Sequence, residues 1–385
     1  MGGDYLRKVL FILILLFLGF AFSQPDEKSA DDTNSGTVMD NIKTDIQFFK
    51  DNKDLQNVIT GMMEEAQNWA DQFLLTISQY TGEKNLSTED KAEKPVLEAP
   101  EEQTFSIHNI EIGDDKAEIE KNLGPSNRIS ANEYGTDWHA YHDHYQNFVM
   151  VAYDKQEKAA GIYTNQDLIS STKEIAYGTP KSSVAEQLGK PLDSMRKDLV
   201  IFQLEENRDY DLYELDGNYV TIFYDKHRDN TVTSIQIISK SLEKQKESFY
   251  ANASSVLKEG FEWQLFDITN AERVNHGVPV LEWDDTVKET ARKHSSDMAE
   301  NNYFDHTNLQ GLSPFDRMQA DEVSFMLAGE NLASGQFSSI FAHEGLMNSL
   351  GHRKNILRAD YEFLGVGVAF NSKSQPYYTE NFYAN

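Results

Sequence analysis

Asn302-Tyr303-Phe304-Asp305-His306-Thr307-Asn308, Gly329-Glu330-Asn331-Leu332-Ala333, Gly351-His352-Arg353-Lys354-Asn355-Ile356-Leu357 and Phe363-Leu364-Gly365-Val366-Gly367-Val368-Ala369-Phe370 follow one another in the last third of the chain. The residues around them alternate between helical and extended patterns. Phe266 to Asn275 predicts a helix and Pro279 to Trp283 a short extended entry. Asp284 is placed to cap a second helix through Val287, Ala291, His294, Met298 and Ala299. The 302–308 string is a loop. Ser313-Pro314 opens another helix, with serine at the cap and proline at the first helical position. A further helix is expected from about Ser338 to Ser349, then a turn at 351–357. The end is β-rich, 363–370 and 377–383, and the alternating glycines of the first run permit close backbone approach. Helices wrapped on a small sheet over 261–385 make a complete domain.

These strings resemble, in order and spacing, the CAP superfamily of cysteine-rich secretory, antigen 5 and pathogenesis-related proteins. The resemblance spans nearly all of 264–385 and implies an α-β-α sandwich, so the expected fold class is α+β. It also implies a cleft in which two histidines and two acidic residues converge. By motif, His306 and His352 match the histidines and Glu330 one acid. The second acid has no match: Leu346-Met347-Asn348-Ser349 holds none, and Glu344 lies out of register. His306, Glu330, His352 and Asn331 are therefore the expected ligand-binding residues. The first three are also the candidates for catalysis and for a divalent cation, zinc, magnesium or calcium. The competing reading is structural, with Glu330 and Asn331 bonding backbone and Arg353, Asn355, Ile356 and Leu357 fixing a turn. His276 and His294 are expected at the surface. His343-Glu344 opens like a zinc-protease helix, but Met347 stands where the second histidine is needed. Ser334 and Ser349 are candidate nucleophiles only by their nearness to other polar residues, without a nucleophile elbow.

Upstream, 110–124 and 175–189 carry the same pattern 65 residues apart. In each, Ile110 or Ile175, Gly113 or Gly178, Lys116 or Lys181 and Leu-Gly at 123–124 or 188–189 recur in register. Phe148–Lys155 parallels Tyr219–Lys226, each followed by a second β-rich run. Residues 105–240 thus read as a duplicated helix-plus-antiparallel-strand domain, which resembles the CAP-associated domain of bacterial surface proteins. His139, His142, His144 and Asp143 cluster there. In a strand, however, His139 faces away from the other two, so a polar strand is the stronger reading than a metal site. A helical connector is expected over 241–260.

Further out, Thr81 to about residue 104 reads as a flexible acidic linker. Residues 38–80 form an amphipathic helical segment, and 24–37 a disordered spacer. Arg7 and Lys8 precede an apolar run from Val9 to Phe22, short for a membrane span of about 20 residues. It fits a secretory signal cleaved after Ser23; the alternative is a retained N-terminal anchor at 1–23. The chain has 385 residues, 35 Lys and Arg against 63 Asp and Glu, a net charge of −28 and no cysteine. That charge opposes phosphate backbones and makes nucleic acid a poor partner. An exported chain without cysteine suits a Gram-positive bacterial surface. The expected partners are a cell-envelope component or a small lipid-like ligand, with the membrane reached through 1–23 if that segment is uncleaved. A secreted hydrolase using the His/Glu cleft, or an adhesive module acting through the duplicated domain, are the rivals.

Overall fold

The computed structural model describes residues 92–385, apart from 198–199, 206–207 and 247. The expected signal or anchor, spacer and helical segment lie outside the described residues. The described residues form one compact unit. Its first half runs β1 (Phe105–Ile107), α1 (Lys116–Leu123), β2 (Arg128–Ala131), β3 (Asp137–Asp143), β4 (Gln146–Tyr153), β5 (Ala159–Thr164) and β6 (Ile169–Ser171). It continues through α2 (Lys181–Leu188), β7 (Ser194–Lys197), β8 (Val200–Gln203), β9 (Tyr210–Leu215), β10 (Asn218–Asp225), β11 (Thr231–Ser239) and α3 (Lys240–Glu243). The second half runs α4 (Ser255–Asn275), β12 (Glu282–Trp283), α5 (Asp285–Asn301), α6 (Pro314–Ala320), β13 (Leu327–Ser334), α7 (Ser339–Asn348), α8 (Leu350–Ile356), β14 (Phe363–Phe370) and β15 (Pro376–Ala384). Antiparallel sheets with helices make the chain α+β.

The two patterned segments of the first half fold with the same local bonds. Gly113 N donates to Ala159 O and Gly178 N to Val232 O, both at 2.8 Å. Both glycines have positive φ, 106° and 83°, which a side chain would strain. Gly124 N bonds Glu120 O and Gly189 N bonds Ala185 O, ending α1 and α2. Ile119 and Val184 anchor these helices in one core. The strands form an antiparallel seven-stranded sheet, ordered β2-β3-β4-β5-β11-β10-β9. Its middle is the β5–β11 pair, with Ile162 opposite Ile237.

Residues 92–104 depart from the flexible linker expected there. They have no regular structure but are tied down: the Glu111 carboxylate accepts from the backbone N–H of Glu101, Glu102 and Gln103 at 2.7, 3.1 and 2.8 Å. Three convergent amides satisfy one carboxylate, and Pro100 is buried beside them.

In the second half the sheet order is β12-β14-β15-β13, with β12–β14 parallel and the rest antiparallel. Gly365 and Gly367 let α5 lie directly on β14. A Cβ at either would come within 2.2 Å and 2.1 Å of the Lys288 and Arg292 backbone nitrogens. Val366 and Val368 point the other way, into a core with Leu257, Phe261 and Leu265 of α4. Asp284 caps α5 through Val287 N at 2.8 Å, and Ser313 with Asp316 makes a capping box on α6.

Two elements differ from expectation. The helical connector shrinks to α3, and α4 begins only at Ser255, capped by the Ser254 hydroxyl at 3.0 Å from Leu257 N. The 351–357 turn is the two-turn helix α8.

The halves share a core, in which Trp138, Phe148, Met150 and Tyr163 of the large sheet pack with Ile268, Ala271, Ile340 and Phe341. Polar contacts border it. Arg128 Nε meets Asp267 Oδ2 at 2.8 Å, Gln264 Nε2 donates to Ala131 O at 2.7 Å, and Arg353 reaches Asp225 at 2.9 Å. A Cβ at Gly260 would lie 2.1 Å from Ala131 O, so the backbones touch there. Arg353, expected to fix its own turn, does donate to the Met347 carbonyl there at 3.3 Å, and it bridges the two halves as well.

Candidate functional site

The 302–308 loop, the start of β13 and the helix pair α7–α8 bring the three motif residues toward one another. Glu330 is at the centre, with its side chain only 2% exposed. Its Oε1 lies 2.9 Å from His306 Nδ1, and its Oε2 accepts from the Arg317 guanidinium at 2.5 Å. Arg317, on α6, also donates to the carbonyls of His306 at 2.7 Å and Leu312 at 3.0 Å. One buried arginine therefore fixes both the carboxylate and the loop that carries the histidine. His306 itself stays half-exposed. The Glu330 hydrogen bond pushes its pKa above the usual histidine value of 6.5.

His352 sits at the third position of α8, its Nδ1 2.8 Å from Ser349 Oγ at the N-cap. Burial lowers its pKa, and the charge of His306 lowers it further. The two imidazoles are thus close enough to feel one another and are driven apart in protonation. That arrangement separates a proton donor from a proton acceptor near neutral pH.

Asn331 does not face the cleft. It is fully buried, and its amide donates to Glu380 at 3.0 Å and to the His352 carbonyl at 3.2 Å. Asn355 ties it from the other side, donating to Asn331 Oδ1 at 2.9 Å and to the Glu330 carbonyl at 3.2 Å. Expected as a ligand contact, Asn331 instead positions the two motifs. Glu380 beneath it is buried, bonded also by Thr269 at 3.1 Å, and burial pushes its pKa up to about 7.

A cation fits these residues poorly as a three-ligand set. Glu330 commits both oxygens, one to a buried guanidinium that would repel a second cation. Among the described residues no group of three His, Cys, Asp or Glu is gathered to hold a metal ion. The His139, His142, His144 cluster is likewise dispersed. His139 is buried against Tyr153, His142 stacks on Tyr145 at 4.2 Å, and His144 leaves the strand in a left-handed turn. His343, fully buried, has its pKa lowered to about 4, and Glu344 points away from the cleft into the large sheet.

Sequence reasoning missed Arg317, legible only as part of the Ser313–Met318 string. It also placed His294 at the surface. The structure buries His294, whose Nε2 lies 3.0 Å from the Asp305 carbonyl and so supports the His306 loop. His276, also expected outside, is half-buried, with Nε2 3.0 Å from Glu272 Oε1. Phe304, Leu309, Leu312 and Phe315, all on or just after that loop, are exposed. An apolar rim beside a polar centre was not drawn from the sequence, because loop apolar residues carry no periodicity.

Comparison with known proteins agrees with the resemblance carried by these motifs. Residues 266–382 match the cysteine-rich secretory protein (CAP) family, and 112–249 match the CAP-associated N-terminal domain. The chain carries a CAP domain at its C-terminus behind a CAP-associated domain. Among its relatives, the uncharacterized membrane protein YlbC of Bacillus subtilis is 29% identical over 287 residues, 70% of this chain and 82% of that protein. The uncharacterized protein YkwD of the same organism is 43% identical over 107 residues, 28% of this chain and 42% of that protein. An extracellular protein containing an SCP domain from Bacillus anthracis superposes with a TM-score of 0.63 at 26% identity, covering 77% of this chain and 99% of that one. A cysteine-rich secretory protein from Staphylococcus aureus shares the fold at 17% identity and a TM-score of 0.57, covering 71% and 91%. No helix among the described residues is long and apolar enough to cross a membrane.

Proposed function

We propose that this chain is an exported bacterial surface protein whose CAP cleft binds a small ligand or a cell-envelope component, presented by an accessory domain built from an internal duplication. The observation that carries the reading is the buried Glu330, held by Arg317 and aimed at a half-exposed His306 opposite His352. A fixed carboxylate behind an accessible imidazole leaves Nε2 to meet a ligand, and the exposed loop residues from Phe304 to Phe315 offer an apolar contact beside it. The extracellular description of one relative and the membrane description of another support export. The proposed binding does not rest on a cation, because the Arg317 guanidinium holds Glu330. The test is a comparison of the chain with its His306→Ala/His352→Ala double variant. Pull-down on purified cell-wall sacculi and on phospholipid vesicles should fall in the variant, and calorimetric titration with Zn²⁺ reads the cation separately. Equal retention of both proteins on every matrix would sink the reading.

The 2.8 Å contact between Ser349 Oγ and His352 Nδ1 favours a second reading, a hydrolase with Ser349 as nucleophile and His352 as its base. The same contact can instead simply hold the His352 ring at the start of α8, since the Ser349 hydroxyl caps no backbone N–H there. Covalent labelling by a fluorophosphonate that disappears in Ser349→Ala would support the hydrolase; an unlabelled chain would leave Ser349 only the role of orienting the His352 ring.

A further inference from the structure

A second pocket opens far from these histidines, where the large sheet, the β7–β8 ribbon and the CAP domain meet. One row of side chains crosses the sheet face there. Leu212 of β9 faces Thr221 of β10, which faces Gln236 of β11, which faces Tyr163 of β5, which faces Met150 of β4. On the β4–β5 side, α4 and α7 cover the row, and Met150 and Tyr163 lie in the shared core. On the β9–β11 side no helix covers it completely. The floor holds Leu212, Thr221, Gln236 and Ile238, the roof Met195 and Phe202, and the far wall Phe337 and Phe341. Aromatic contacts close the sides: Phe249 to Phe337 at 5.2 Å, and Phe337 to Phe341 at 4.0 Å.

Two features distinguish this pocket from a packing gap. The position matching Met150 in the second sequence unit is Thr221, so a polar residue stands where its counterpart is apolar. Beside it Gln236 is 2% exposed, and its side-chain Nε2 has no hydrogen-bond partner. A buried, unbonded amide donor in an aromatic pocket is destabilising unless something accepts from it. The inner cavity, about 50 Å³, exceeds the space one water needs, roughly 10–15 Å³. Leu204, Tyr210 and Phe249 also line a neighbouring outer hollow of about 330 Å³. Basic groups are matched or outnumbered by acidic ones: Glu243 and Lys246 pair at 3.5 Å, both nearly buried, and Arg208 at the outer hollow is joined by Asp209 and Glu205. Nothing there is arranged to attract an anion.

We infer that this interdomain pocket binds a slender, neutral, apolar molecule ending in a carbonyl or hydroxyl, which accepts a hydrogen bond from the Gln236 amide. The aromatic walls take the apolar body, and the outer hollow takes whatever extends beyond it. The site is separate from the cleft of His306 and His352 and survives the failure of any reading of that cleft.

Saturation-transfer NMR on the full chain tests it with three probes: N-benzylacetamide, toluene and phenylacetate. N-benzylacetamide should bind and phenylacetate should not. Gln236→Leu should weaken N-benzylacetamide about tenfold while leaving toluene within about twofold, the loss of one hydrogen bond. The same variant should melt no lower than the parent, because an unbonded buried donor has been removed. Phe202→Ala, on the half-buried roof, should weaken both neutral probes and serves if Gln236→Leu fails to fold. The inference is overturned if N-benzylacetamide shows no transfer, if phenylacetate binds as well as the amide, or if both variants bind it as the parent does.

Discussion

At the scale of single residues, the cleft depends on Arg317 more than on either histidine. Removing Arg317 leaves Glu330 buried beside an imidazole that is charged only part of the time. Arg317→Ala should therefore cost about 3–5 kcal/mol of stability, the usual penalty for stranding a buried charge. His306→Gln removes a half-exposed partner and should cost less than about 1 kcal/mol. Urea unfolding of the two variants checks the order. The histidines then give opposite pH signatures. The pKa of His306 is raised, so its contribution is complete below about 6.5 and is lost as pH rises through the folded-state value. The pKa of His352 is lowered, so its neutral form is the one the fold prefers; its contribution appears as pH rises through that lowered value toward 6.5. Between pH 5 and 8, His306→Gln should flatten the fall of the urea midpoint with pH, and His352→Gln should flatten the rise. Variants that shift the midpoint equally at both pH values would refute the assignment.

At the scale of elements, the glycines of β14 make a sharp contrast with one in α7. Gly365→Ala would push a methyl into the backbone of α5, which cannot move without leaving the sheet; about 1–3 kcal/mol should be lost. Gly345, in the interior of α7, has open space at its Cβ, and Gly345→Ala should gain about 0.5–1 kcal/mol from helix propensity. Thermal melts of the pair decide whether α5 really lies on the glycine strip. Much of this level was legible in the sequence. Alternating glycines predicted close approach, Asp284 and Ser313-Pro314 predicted helix starts, and the paired Gly113 and Gly178 strings predicted matching turns, because each signal is local. What was not legible depended on distant chain. Residues 92–104 read as a charged linker because Glu111, which gathers their amides, does its work across a fold that composition does not reveal. His294 read as surface because nothing near it in sequence announces the Asp305 carbonyl. Asn331 read as a cleft residue because a motif gives nearness but not direction.

At the scale of the molecule, the two halves share one core, and Glu344 reaches across from one to the other. It belongs to α7 of the CAP domain, yet its Oε1 accepts from Tyr163 at 2.9 Å and Ser234 at 2.5 Å, both on the accessory sheet. Burial raises its pKa to about 8 against those two hydrogen bonds. The folded chain therefore holds a proton there that the unfolded chain releases near the ordinary value of 4.5. Stability from this group is full below about 4.5 and declines as pH rises to about 8. Glu344→Gln keeps an acceptor for Tyr163 and Ser234 but has no proton to lose, so its melting temperature should exceed the parent's at pH 8.5 and approach it at pH 5. The position of the group decides what else must follow. Since the carboxyl joins the two halves, and Ile340 and Phe341 beside it lie in a core drawn from both, the accessory sheet cannot melt first without exposing α7. Calorimetry of residues 92–385 should show one transition that Glu344→Gln moves as a whole. Two resolved transitions, with the variant shifting only one, would mean that the halves fold independently and that the interface contributes little to either.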